Sequence, residues 1–174
     1  RVSGEIVDMT DLLPTLAAAA GEPDTVAKLT AGAPYGDHSY KVHLDGFDQT
    51  AFFTGQTDQS ARDFVFYYDE ATLTAIRYNQ FKVTFSAKMD GHWDDPLVNL
   101  GRPVVTNLLM DPFERQWGDL NRQFAERKAW VLTPMVGVVG KHFESFKAFP
   151  IRQVGLSAQF GKTIEGIQTQ LLKM

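Results

Sequence analysis

Asp111, Glu114 and Arg115 put two acids and a base within five residues of the stretch TNLLMDPFER, residues 106–115. Such a spacing can serve a hard cation or an acid/base pair. The same residues also spell the start of a helix. With Asp111 as N-cap, Pro112 falls at N1, where no intrahelical N–H is lost. Glu114 then sits at N3 and reaches back to the cap's amide. Both acids also face the positive end of the helix dipole. Acids committed to backbone amides are poorly available for catalysis, so Asp111 and Glu114 are expected to be structural.

Histidines supply the remaining candidates. His38 and His43 lie in YGDHSYKVHLDG with Asp37 and Asp45 nearby. A metal site is conceivable there, but a spacing of five fits neither one helix face nor one strand face, which favours a surface loop. The stretch DGHWDD places His92 beside Trp93. A loop of that kind can present a stacking ring and a proton carrier to a ligand. Otherwise it is an Asp-Gly turn whose tryptophan packs on a sheet. Arg77 and Lys82 would be neighbours across a hairpin, suited to an anion or simply to a solvated face. His142 falls on an apolar stripe and is expected to be packed and hydrogen-bonded. No Ser-His-Asp order, phosphate-binding loop, dinucleotide fingerprint or zinc-ligand pair stands in a supporting context.

The elements that must hold these residues follow from periodicity. DMTDLLPTLAAAAGEP reads as a helix capped by Thr10 or Asp11, with Pro14 in its first turn and Gly21 as its stop. Residues 22–63 read mostly as ordered loop, with a short helix at DQTAFFTG. DFVFYYDE has the continuous apolar pattern of a strand buried on both faces. LTAIRY, a turn at Asn79-Gln80, and FKVTFSA form a hairpin. In its second strand Phe81, Val83 and Phe85 oppose Lys82, Thr84 and Ser86, so one face is expected to be wet. VVTNLLM adds a fourth strand. After Thr133-Pro134 a helix carries Met135, Val138, Val139, His142, Phe146 and Phe149 on one side. A last helix repeats Leu156, Phe160, Ile164, Ile167 and Leu171. The fold class is α+β: a four-stranded antiparallel sheet with helices packed on one face.

Bulk composition narrows the function classes. The chain has 174 residues, 44% hydrophobic and 22% charged, about one domain's worth. The absence of cysteine excludes disulfides and thiolate chemistry and says little about compartment. A net charge of −4 without a basic stripe argues against a nucleic-acid partner. No apolar run approaches the roughly 20 residues of a membrane span. The chain opens on Arg1-Val2-Ser3, as expected of a processed, tagged or fragmentary chain.

Four segments in order resemble the C-terminal part of the sulfatase family, within the alkaline-phosphatase-like superfamily. IVDMTDLLPTLAAAAG is similar to an Asp-x-x-Pro-Thr-Leu helix ending in Ala-Gly. YKVHLDGFDQTAFFTG is similar to the segment with the Asp-Gly turn before the domain junction. ARDFVFYYDEATLTAIRYNQFKVTF and VVTNLLMDPFERQ resemble the strands and the Asn-Leu-x-x-Asp-Pro-x-Glu signature that come after it.

The resemblance implies that residues 1–60 are the end of a large α/β domain, with one helix at about 10–20 and junction loops. Residues 61–174 are then the smaller sheet domain. It implies a parent arylsulfatase-like enzyme that hydrolyses small sulfate esters with a formylglycine and a calcium ion. Those groups belong to a Cys/Ser-x-Pro-x-Arg motif and to acids that precede this stretch in the family. No such motif occurs here, so no catalytic or metal-binding residue is transferred. The chain alone is expected to be inactive and to partner the missing N-terminal catalytic domain, with a homo-oligomer as a further partner. The Leu12, Leu13 and Leu16 face would bury against the large domain's sheet. His92, Trp93, His38 and His43 are the expected substrate-side contacts. A phosphonate or phosphate-ester hydrolase, or a non-catalytic binding or assembly module, would share this tail.

Overall fold

A computed structural model describes residues 2–150. The expected last helix, Leu156 to Leu171, lies outside the described residues. A 3-10 turn, Met9–Asp11, runs into α1 (Leu12–Ala19). Then come α2 (Thr25–Ala31), the small hairpin β1 (Ala33–Tyr35) and β2 (His38–Tyr40), and α3 (Thr50–Phe53). Residues 22–63 thus hold more regular structure than a loop, because Gly32 and Gly36, both at positive φ, let two short elements turn back on one another. Asp8 caps the 3-10 turn that leads into the first helix, while Asp11 stands at the N-cap of α1 without a side-chain cap bond to it. The Asp8 carboxylate accepts the Thr10 amide at 2.9 Å, and Asp11 reaches back to the Asp8 amide.

The main sheet is an antiparallel meander, β3 (Phe64–Asp69), β4 (Thr72–Tyr78), β5 (Phe81–Ala87) and β6 (Val98–Asn107), in that order. Register places Ile76 opposite Val83 and Val83 opposite Val105. These three are fully buried in a row across the sheet. Helix α4 (Asp119–Arg127), a second 3-10 turn (Ala129–Val131) and α5 (Leu132–Ala148) complete the described chain. Val131 and Met135 close the core against that row, with Phe66, Phe85 and Phe124 around it. Each such burial contributes ~1.5–3 kcal/mol, and this face decides which way the strands alternate.

Further expectations need correction. The strand Phe64–Asp69 is an edge strand, half-buried along most of its length rather than buried on both faces. Its run of aromatics serves both sides: Phe66 faces α5, while the Tyr67 ring lies 4.6 Å from Lys82 Nζ on the other side. That other side is not wet either. Thr84, Ser86 and Thr106 are buried, Ser86 Oγ lies 2.8 Å from Asn99 Oδ1, and Lys82 pairs with Glu114 at 2.8 Å.

The third correction concerns Asp111 and Glu114. No helix begins there; α4 starts at Asp119 behind Gly118. Glu114 sits at φ 53° and Gly118 at φ 74°, and either breaks a helix that needs φ near −63°. Asp111 still accepts backbone amides, but those of a turn. The Gln116 amide donates to it at 2.9 Å, and the amides of Arg115 and Gln116 hold its carboxyl below the usual range. Likewise α5 begins at Leu132, so Thr133 lies inside the helix and caps nothing.

At the outer side of β6, Asn121 of α4 faces Val105. Its Oδ1 accepts the Val105 amide at 3.2 Å and its Nδ2 donates to the Val105 carbonyl at 2.8 Å. No helix among the described residues is long and apolar enough to cross a membrane.

Candidate functional site

Two clusters tie helices to the sheet. The first is built on Asp11, which is 1% exposed, and Arg62, which is 5% exposed. Arg62 Nε donates to both Asp11 oxygens at 3.0 and 2.9 Å, and Nη2 donates to Oδ1 at 2.6 Å. The remaining guanidinium donors go to the carbonyls of Phe64 and Asp45 and to Thr10 Oγ1. Asp11 also accepts the amides of Phe47 and Asp8 and the side-chain amide of Gln49. Burial pushes this carboxyl up, but Arg62 and the amides of Phe47 and Asp8 outweigh it, and its pKa falls below 3.8. Every polar atom of the pair has a partner, which a buried ion pair requires. Phe47 and Phe64 flank the guanidinium at 4.8 and 5.7 Å.

The second cluster borders a groove of about 690 Å³ between α2, the 43–48 loop, the start of β3 and α5. Val26, Leu44, Phe64, Phe66 and Val138 give it apolar walls; His43, Asp45, Lys141 and His142 give it polar ones. The His142 ring stacks on Phe66 at 4.1 Å, and its Nε2 lies 2.6 Å from the Tyr68 hydroxyl. Burial, and then Asp45, raise the Tyr68 pKa. Tyr68 therefore keeps its proton, and its hydroxyl donates to Nε2 when the neutral imidazole carries its own proton on Nδ1. That nitrogen lies 3.9 Å from Asp45 Oδ1, and His43 Nε2 approaches the same oxygen at 3.3 Å. The imidazole is held on one face by Phe66 and at one nitrogen by Tyr68. This arrangement clamps α5 to β3; it presents no activated nucleophile.

The clamp makes stability depend on pH. Burial lowers the His142 pKa below 6.5, with Asp45 opposing and His43 adding to the shift. The unfolded chain therefore takes up this proton before the folded one does. The contribution is fully present above pH 6.5 and declines as pH falls through it. Urea titrations from pH 7.5 to 5 should show a steeper loss of stability for the parent than for His142→Gln. Equal slopes would contradict the clamp.

Of the residues singled out from sequence, His43 lines the groove. His38 is exposed on β2, its ring edge-on to Tyr40. His92 and Trp93 lie in the β5–β6 connection, away from the groove walls. Asp95 accepts the His92 amide at 2.8 Å, the Trp93 carbonyl accepts Lys88 Nζ at 2.6 Å, and the Trp93 ring is 79% exposed. Of these four residues, His43 alone is a groove residue. Sequence reasoning placed Asp45 beside His43 but missed Arg62 and Tyr68 as site residues; an arginine immediately before an apolar strand run was the available signal for the first. Among the described residues no three His, Asp or Glu side chains are grouped to hold a metal ion.

The crystal structure of the PsFucS1 sulfatase from Pseudoalteromonas sp. superposes on this chain with a TM-score of 0.70 and 24% sequence identity. The chain shares the fold of the part of that sulfatase on which it superposes. The match covers 89% of this chain and 29% of that sulfatase, so the chain spans less than a third of its length. No protein-family model matches, and no curated protein sequence matches.

Proposed function

We propose that the chain is the C-terminal portion of a sulfatase-type hydrolase, arylsulfatase-like in its chemistry, in which it completes the core and walls the substrate cleft. The observation that carries this reading is the fold shared with a sulfatase over 89% of the chain but 29% of that sulfatase. The sequence motifs, in the order expected of a sulfatase tail, support it. So does α1, where Leu12, Leu13 and Leu16 are 39, 55 and 65% exposed, as expected of a helix whose free face meets further protein.

The formylglycine and calcium of the parent would come from residues upstream. The present chain has no cysteine and no Ser-x-Pro-x-Arg. Its described acids do not fit a calcium cage of six to eight oxygens, so no step through the metal is assigned to them. What these residues contribute is position: the Asp11–Arg62 pair fixes the helix, and the His142 clamp fixes α5. His43 at the groove, His38, and the His92–Trp93 loop are substrate-side contacts of the assembled enzyme.

The test compares this chain with a protein extended upstream through a Cys/Ser-x-Pro-x-Arg motif, assayed on an aryl sulfate, an aryl phosphonate and an aryl phosphate. The extended protein should cleave the sulfate ester and the chain alone should cleave none. Preference for the phosphonate or phosphate ester would move the assignment to that reaction. A reading frame that starts near Val2 without the motif would leave a binding or assembly module instead. In the active protein, His92→Ala with Trp93→Ala should lower kcat/KM; an unchanged value would exclude that loop from substrate.

A further inference from the structure

The groove between α2 and α5 carries a charge that the His142 clamp does not use. Its acids are Asp24, Asp45 and Asp48, set among the apolar walls. Two basic side chains line it, Lys141 and Arg62, and the charge of Arg62 is already matched by Asp11. Three carboxylates therefore stand against the single ammonium of Lys141, and the groove keeps an excess of negative charge. A hollow of about 690 Å³ lies within the range of small-molecule sites, roughly 300–1,000 Å³, where apolar walls bind and a few polar groups orient.

Asp45 is the acid best placed to meet a ligand. Its side chain is 53% exposed, and among the described residues its carboxylate meets two imidazoles and no lysine or arginine. Of those imidazoles, His142 is held neutral at pH 7 by its burial and supplies no countercharge. The backbone behind the carboxylate is pinned, because the Asp45 carbonyl accepts Arg62 Nη2 at 2.7 Å. Asp48 is less available, since its Oδ1 accepts the Thr50 amide at 2.8 Å and the Thr50 hydroxyl as well. A charge presented from a fixed loop beside apolar walls loses little on binding, which favours a ligand with both features.

We infer that the groove is a binding site for a small amphipathic organic cation, its ammonium or amidinium group against Asp45 and its apolar body against Val26, Leu44 and Val138. The inference does not rest on the hydrolase reading: a sulfate ester carries the wrong charge for these acids and serves as the control.

The test titrates the full 174-residue chain by calorimetry with naphthylmethylammonium, its neutral isostere naphthylmethanol, and naphthyl sulfate. The ammonium should bind at one saturable site and the sulfate should not bind. The alcohol should bind about fivefold more weakly than the ammonium, the upper end for a partly exposed ion pair. Asp45→Asn keeps the shape of the side chain and should bring the ammonium down to the affinity of the alcohol. Ala27 is an exposed residue on the groove wall, so Ala27→Trp obstructs the groove without disturbing the core and should abolish binding of both. No saturable binding of the ammonium, an alcohol bound as tightly, an affinity unchanged by Asp45→Asn or by Ala27→Trp, or a preference for the sulfate would each overturn the proposal.

Discussion

Arg62→Ala is expected to lower the free energy of unfolding by about 3–5 kcal/mol, the cost of stranding a buried charge without its partner. The variant removes the guanidinium from Asp11 and also uncovers the carbonyls of Phe64 and Asp45 that it served. Phe47 and Phe64 lose the planar group between them. Asp11 would retain the amides of Phe47 and Asp8, which keeps the loss finite. The double variant Asp11→Asn with Arg62→Met removes both charges but keeps an oxygen for only one of those amides, since Phe47 donates to Oδ1 and Asp8 to Oδ2, so it should recover only part of the loss.

The pH profile separates this account from simple loss of packing. A carboxyl held below 3.8 in the folded state contributes stability at higher pH and loses it as pH falls through the folded value. In Arg62→Ala burial dominates, the carboxyl rises, and that dependence should flatten or invert. Urea unfolding at pH 7 and pH 4 measures both. A change of less than about 1 kcal/mol at pH 7 would remove the pair from its structural role.

Gly46→Ala is the second large effect. A Cβ at position 46 would stand 2.0 Å from the Thr10 carbonyl oxygen and 3.0 Å from Pro14 Cγ. The obstruction is backbone, so no side chain can swing aside, and the turn that leads into α1 would have to move. The expected loss is at the upper end of overpacking or beyond it, about 3 kcal/mol or more. Because Gly46 adjoins Asp45, whose carbonyl accepts Arg62 Nη2, the same shift should loosen the ion pair. Gly46→Ala and Arg62→Ala should therefore be less than additive when combined. Full additivity would show that the two sites are independent.

The sheet was legible because strand alternation and a short turn are local signals. Phe81, Val83 and Phe85 could be placed on one face from spacing alone. The turn at Asp111 was half legible: the carboxylate does accept backbone amides, but nothing local revealed that Glu114 adopts a left-handed conformation and ends any helix. The Asp11–Arg62 pair was invisible for a different reason. Its members are 51 residues apart, and each had an adequate local explanation, as a cap and as the lead into a strand. The His142 clamp joins residues from a loop, a strand and a helix. Spacing could place His142 on a packed stripe but could not name Tyr68 or Asp45 as its company.

Asn121 gives the sheet a handedness of access. A primary amide offers one donor and one acceptor, the same pair a fifth strand would offer at Val105, and here it occupies that position from the side. The middle of β6 is already answered, so a foreign strand arriving there finds no free valence. A fifth strand therefore cannot pair with β6 through Val105.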